Sequence, residues 1–294
     1  MSPSPNDLSK LESLEIRLLA ERDIPAAMRL KELAHWNQTT EDWRRLLRLE
    51  PRGCFAACFQ SRLVATTTFT TYGPDLAWIG MVLVDPEFRR RGIATALLRT
   101  ALESLQRDGV QTVKLDATPA GQPVYEALGF ARESLIQRWE GTASKSAAAT
   151  ECSTLSAQVW PELLELDRRA FGADRPSLLA FLETDSDAPP LIVRAAGGQL
   201  SGYALSRRGT NASYIGPLVA ADEQTAIKLL DGMLDGLAGK RVYIDLNTDY
   251  EDGSEALARR GFIKQRDLIR MRRGQKSSAG ISQLVLAIAG PEVG

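Results

Sequence analysis

The stretch Val82-Leu83-Val84-Asp85-Pro86-Glu87-Phe88-Arg89-Arg90-Arg91-Gly92-Ile93-Ala94-Thr95 decides how this chain folds. The nearly unbroken apolar run Trp78–Val84 before it reads as a strand covered on both faces. After it, Ile93, Leu97, Ala101 and Leu105 recur every four residues, with Leu98 and Leu102 beside them. That is the buried stripe of a helix, and Asp108-Gly109 ends it. Strand, basic loop and helix start place backbone N–H groups where an anion can sit. The first turn of a helix has donors without an internal partner, and its dipole favours negative charge. Gly92 lets the backbone approach a phosphate closely, and Ala94 keeps the entrance narrow. Arg89, Arg90 and Arg91 add positive charge around it. The physical reading is a pyrophosphate site held by the N–H groups of Arg91, Gly92, Ile93, Ala94 and Thr95.

Working outward, the first half opens with Leu14, Ile16 and Leu18 alternating with Glu15 and Arg17, a strand pattern. Asp23 is placed to cap a helix that tolerates Pro25 in its first turn and packs through Ile24, Met28, Leu30 and Leu33. A second helix over Glu41–Leu49 is capped by Thr39 or Thr40. Strands Cys54–Phe59 and Leu63–Thr70 then lead into Trp78-Ile79-Gly80-Met81.

The same order returns later. Leu191–Ala195, the turn Gly197-Gly198 and Gly202–Ser206 lead into Tyr214-Ile215-Gly216-Pro217. Lys114-Leu115-Asp116 is echoed by Tyr243-Ile244-Asp245, and Leu128-Gly129-Phe130 by Arg260-Gly261-Phe262. The offsets are 136 residues from Trp78 to Tyr214, 129 from Lys114 to Tyr243 and 132 from Phe130 to Phe262. A nearly constant offset marks a duplication. The small, polar residues 141–153 read as the linker between 13–140 and 154–294.

A chain of 294 residues has room for two such units. Its formal net charge of −1 and dispersed basic residues argue against nucleic acid and membrane as partners. Without a run of about 18 apolar residues it has no transmembrane span. Met1–Asp7 shows no secretory pattern, and Cys54, Cys58 and Cys152 suit a reducing compartment, so a cytoplasmic location is expected. A single histidine makes a metal site improbable chemistry for this chain, and no metal is expected.

Arg89-x-x-Gly92-x-Ala94, five residues past the strand end at Val84, resembles the acetyl-CoA motif of the GNAT superfamily of N-acetyltransferases. Tyr125-Glu126-Ala127-Leu128-Gly129-Phe130, after the strand Thr112–Asp116, is similar to that family's second mark. The resemblance is clear over roughly residues 13–140 and fainter beyond. It implies an α/β fold of two tandem GNAT domains, each a central, mostly antiparallel sheet flanked by helices. It also implies an acyltransferase that uses acetyl-CoA as cosubstrate and acetylates a primary amine by direct attack. The alternative is a non-catalytic CoA-binding sensor or scaffold.

From the family, Val82, Leu83 and Val84 would present backbone groups to the pantetheine arm as an added strand would. Tyr125 would stand beside the CoA sulfur and protonate the departing thiolate. An alkyl amine with pKa about 10.4 must lose a proton before attack. No acid lies between Leu76 and Val84, which departs from a frequent family pattern, so the base is sought at Asp116, then Glu41, Asp42 or His35. Trp36, Asn37 and Gln38, in the connection between the first two helices, are the candidate acceptor residues: a flat apolar wall beside amide donors and acceptors suits a small polar ligand. The second half lacks the anion loop. Asp222 and Glu223 stand where the first half has arginines, and Leu257 matches Tyr125. Asp245, Asn247, Asp249 and Tyr250 form a polar strand-end cluster there. The expected organisation is a catalytic first domain and a degenerate second one, as monomer or homodimer, acting on a small-molecule amine.

Overall fold

A computed structural model describes residues 14–145, 151–274 and 280–294. The chain's start and residues 146–150 of the expected linker lie outside the described residues. The first half runs β1 (Leu14–Leu18), α1 (Ile24–Leu33), α2 (Thr40–Leu49), β2 (Cys54–Phe59), β3 (Arg62–Tyr72), β4 (Leu76–Val84), α3 (Ile93–Arg107), β5 (Thr112–Ala117), α4 (Gln122–Glu126) and β6 (Ala131–Thr142). The second repeats this order: β7 (Ser153–Thr154), α5 (Trp160–Phe171), α6 (Pro176–Thr184), β8 (Leu191–Arg194), β9 (Leu200–Arg207), β10 (Ser213–Ala220), α7 (Glu223–Gly236), β11 (Arg241–Asn247), α8 (Gly253–Arg259), β12 (Ile263–Gly274) and β13 (Val285–Ala287). Gly141 and Thr142 at one edge of the expected linker and Ser153 at the other are therefore strand: β6 extends to Thr142 and β7 begins at Ser153.

Local chemistry accounts for the helix ends. Thr39 caps α2 in a capping box with Asp42. Asp23 stands at the N-cap of α1 without capping it, contrary to expectation. Its carboxylate is taken by Arg17 and by the Ala20 N–H, because a bidentate charge-assisted pair outcompetes a single amide.

The expected pair of separate sheets is one 13-stranded sheet in the order β1-β2-β3-β4-β5-β12-β6-β11-β13-β10-β9-β8-β7. The last long strand of each half has crossed into the other. β12 lies between β5 and β6, and β6 lies between β12 and β11. Two matching ion pairs fix this exchange. Arg270 of β12 is the register partner of Asp116 on β5 and grips it with both arms at 2.9 Å. Arg138 of β6 is the register partner of Asp245 on β11 and grips it likewise, its Nε at 2.7 Å. The acids are 129 residues apart and the arginines 132, the spacings of the duplication itself.

On one face of the first half, α3 buries Ile93, Leu97, Leu98, Ala101 and Leu105 against Phe55, Phe69, Ile79 and Leu115. On the other, α1 and α2 share a core with the second half's α5 and α6: Leu30, Trp43 and Trp78 pack in one cluster with Leu163, Leu179 and Tyr203. The two halves thus share buried apolar surface, which contributes roughly 25 cal/mol per Å². Among the described residues, no helix is long and apolar enough to cross a membrane.

Candidate active site

β4 reaches the site through a bulge. Gly80 pairs with Thr68 and Leu83 with Thr66, so Met81 and Val82 together oppose Thr67. Met81 takes a left-handed φ of 49°, and the Thr66 hydroxyl donates to its carbonyl at 2.8 Å. The bulge turns the strand away from β5. The two parallel strands pair only at Leu76–Thr112, Ala77–Val113 and Trp78–Lys114. Beyond Trp78 they part and leave a fork. Val82 and Val84 are partly exposed there. On the other arm the Asp116 side chain is fully covered while the residue is partly exposed, so what faces outward is its backbone. A fork lined by unpaired main-chain groups can take an extended amide-bearing ligand as a strand.

β4 delivers the chain to the anion loop. Asp85 caps a short 3-10 turn, Pro86–Phe88, and Arg29 and Arg62 fasten its carboxylate at 2.9 and 2.7 Å. Arg90 and Gly92 take left-handed φ values of 61° and 77°. Gly92 occupies the N-cap of α3, and no side chain caps the helix. The first intrahelical bond runs from the Ala96 N–H to the Gly92 carbonyl at 2.9 Å, so the N–H groups of Ile93, Ala94 and Thr95 precede the ladder. Arg89, Arg90 and Arg91 are exposed around this end. Arg89 bonds the Val84 carbonyl, while Arg91 bonds the Glu87 carbonyl and stacks on Phe88, 5.1 Å from the ring centre. Free amides, positive charge and a close backbone fit the diphosphate end of a carrier whose arm lies in the fork.

The second half has the same plan with both openings closed. β10 bulges at Gly216-Pro217 and pairs with β11 only from Ser213 to Ile215. β13 then enters the fork: Ala287 pairs with Leu218 on one arm and Leu246 on the other, and Val285 pairs with Val219. Leu218 and Val219 correspond to Val82 and Leu83 by the 136-residue offset. At the start of α7, the Asp222 carboxylate accepts the Thr225 N–H, satisfying the helix end with the chain's own negative charge. Leu257 is a wholly buried core residue.

Tyr125 lies on α4, just past β5. Its ring packs edge-on against Phe130 at 6.0 Å, and burial raises the phenol above its usual value, so it stays protonated at neutral pH. Asp116 lies on the opposite arm of the fork from Gly80. Burial pushes its carboxyl above the usual range, against the pull of Arg270. Arg270 in turn stacks on Trp78 at 4.6 Å. The other base candidates are placed differently. Asp42 is buried in ion pairs with Arg45 and Arg207, Glu41 pairs with Arg44, and His35 is exposed at a left-handed turn after α1.

Trp36, Asn37 and Gln38 form a seam with the second half. The Asn37 amide donates to the Ala212 carbonyl and accepts the Asn211 and Ala212 N–H groups. The Trp36 carbonyl accepts from Asn211, and Gln38 donates to Glu292 at 2.9 Å. Their polar atoms hold the halves together. In the second half, Asp245 is spent on Arg138 and Tyr214, and Asn247 on the Ser282 carbonyl. Reading the sequence alone missed Arg270, Glu292 and β13; the signal for the first was the Arg138–Arg270 spacing.

Residues 19–130 match the Acetyltransferase (GNAT) family, and residues 163–285 match an Acetyltransferase (GNAT) domain. This chain belongs to the GNAT superfamily. It is a tandem GNAT acyltransferase, and both of its repeats carry the fold. It is 26% identical over 253 residues to the uncharacterized N-acetyltransferase YitH of Bacillus subtilis, covering 85% of this chain and 88% of that one. It is 24% identical over 261 residues to holothin acyltransferase of a Pseudoalteromonas species, covering 88% and 87%. A crystal structure of a putative acetyltransferase from Pyrococcus horikoshii shares the tandem GNAT fold over 96% of both chains, with a TM-score of 0.84 at 24% identity.

Proposed function

We propose that the chain is an acetyl-CoA-dependent N-acetyltransferase that acetylates a primary amine of a small molecule by direct attack. One observation carries this reading: the carrier fork and the helix end beside it are open in the first half, and both are closed by the chain itself in the second. Val82, Leu83 and Val84 line the pantetheine arm, and Arg89 to Thr95 take the diphosphate. The amine nitrogen forms its bond to the acyl carbon, and the C–S bond then breaks. Tyr125, kept protonated by burial, gives its proton to the departing thiolate. Asp116, the base sought from the sequence, is covered and held at both oxygens by Arg270, so it braces the fork while the amine gives its proton to solvent. Of the acceptor residues expected from the sequence, Asn37 and Gln38 are buried in the seam, and Trp36 alone is partly exposed and open to an acceptor. A relative that matches over nearly the whole chain is named holothin acyltransferase, which supports acyl transfer by the tandem fold.

The test is thiol release from acetyl-CoA across a broad panel of primary amines. Turnover with at least one amine, abolished by Arg91→Glu combined with Gly92→Asp, is expected. Tight acetyl-CoA uptake with no amine ever acetylated contradicts it.

A further inference from the structure

Arg266 carries a charge that the fold does not account for. It stands on β12 opposite Arg138 of β6, and the strand bulges beside it at Gln265. Alternation puts Arg266, Leu268 and Arg270 on the face that α3 does not cover, because Ile269 and Met271 fill the α3 core. Three arginines meet on this face. Arg138 is spent on Asp245 and Arg241 on Glu140, and both stack on Tyr243, 5.4 and 5.3 Å from the ring centre. Arg266 has no such partner. Among the described residues it forms no ion pair, and its covered Nε bonds nothing. Burial and the Arg138 charge beside it weaken its hold on its proton, yet a guanidinium stays charged at neutral pH. The residue is partly exposed, so solutes reach it from the sheet surface. The duplication asks for no arginine here: the equivalent position, 132 residues earlier, is Ser134, opposite Arg270.

β12 passes along the fork. Arg272 is opposite Lys114, the last β5 residue that pairs with β4, and Ile269 is opposite Ala117, where β5 ends. Leu268 and Arg266 therefore lie past the end of β5. Arg266 is six residues from Arg272, about 20 Å along an extended strand, and Val84 is six residues from Trp78. The unpaired charge is thus level with the far end of the β4 arm. The connection that carries Trp36 reaches the same patch: Asn37 holds Ala212, and Ala212 packs with Tyr214 and Tyr243 beneath Arg138.

We propose that Arg266 recognises the acceptor, and that the acceptor is a small primary amine carrying an anionic group, a carboxylate or a phosphate, which pairs with this guanidinium while the amine faces the fork. The inference rests on the carrier reading above and adds to it the charge of the acceptor. An unpaired, half-covered guanidinium beside a like charge costs free energy. A bound oxyanion relieves that cost, and the planar fork of N–H donors fits either group with two bonds. A neutral amine gains nothing there, so the charge selects between acceptors.

The experiment compares the full chain with Arg266→Gln, Arg266→Ser and Arg266→Lys. Each is checked by thermal melting and acetyl-CoA uptake, then assayed for thiol release with β-alanine, γ-aminobutyrate, the primary amides of both, and phosphoethanolamine. The full chain is expected to use an anionic amine with kcat/KM about tenfold or more above the amides. Arg266→Gln and Arg266→Ser are expected to erase this preference, mainly through KM, with acetyl-CoA uptake kept and the melting temperature unchanged or raised. Arg266→Lys is expected to restore part of the preference. The carboxylate and phosphate arms tell which oxyanion is recognised. A full chain that prefers the amides overturns the proposal, as does a preference that survives in Arg266→Gln. A full chain that takes up no acetyl-CoA overturns the carrier reading and this inference together, whereas uptake and turnover without the preference overturn this inference alone.

Discussion

The two helix ends that the duplication made alike differ at the N-cap. Gly92 at the start of α3 leaves the first-turn amides free, whereas Asp222 at the start of α7 fills the same place with a carboxylate. Gly92→Asp in the first half is therefore expected to remove acetyl-CoA binding while costing little stability, because an aspartate both caps a helix and tolerates left-handed φ better than most side chains. Tyr125 tests the chemistry. Tyr125→Phe is expected to lower kcat by about 10²–10⁴-fold with acetyl-CoA affinity unchanged, which steady-state and binding measurements together would show. A kcat within a factor of about two of the parent contradicts the assignment. Asp116 and Arg270 act as one unit. Arg270→Leu leaves a covered carboxylate without its partner, so a stability loss of about 3–5 kcal/mol by denaturant unfolding is expected. Local chemistry at this scale was legible in the sequence. Gly92, the arginines and the stripe of α3 announced an anion-binding helix start, because helix caps and periodicity depend on near neighbours.

At the scale of elements, the decisive features are the bulge in β4, the exchange of β6 and β12, and the insertion of β13. None was legible, for one physical reason. A strand's alternation says which face is buried but not which strand it pairs with. β12 would show the same pattern beside β11 as it does beside β5. Only Arg138 and Arg270, set opposite Asp245 and Asp116, carried a trace of the exchange. β13 is three residues long, too short for a period, yet it decides whether the second fork is open. Leu286 of β13 is buried in the second half's core. Leu286→Ala is expected to cost about 2–5 kcal/mol in urea unfolding, depending on how far the site collapses. It is not expected to create a second acetyl-CoA site, because Asp222 still closes α7.

At the scale of the whole molecule, the two repeats make one body. Their sheets are continuous, their cores are joined through α2 and α6, and a buried ionic cluster sits between them. In that cluster Asp42 of the first half meets Arg207 of the second and Arg45 of its own helix. Burial works to raise the Asp42 carboxyl, but Arg207 and Arg45 prevail and hold it below the usual range. A carboxylate depressed in the folded state stabilises the fold above its unfolded value of about 3.9, and this stability is lost as pH falls through the folded value. The melting temperature of the parent is therefore expected to drop steeply below about pH 4, with Asp42→Asn less stable at neutral pH and its deficit shrinking in acid. A deficit constant from neutral to acid pH would show that Asp42 is not held ionised by the cluster.

The duplication was legible at this scale because its spacing survives in the sequence. The seam between the halves was not, since Asn37, Gln38 and Glu292 find their partners about 175 to 254 residues away. The account stands most directly on isothermal titration of the whole chain with acetyl-CoA. One site per chain is expected, lost in Gly92→Asp and kept in Asp222→Ala. Two sites, or a single site that survives Gly92→Asp, would contradict it.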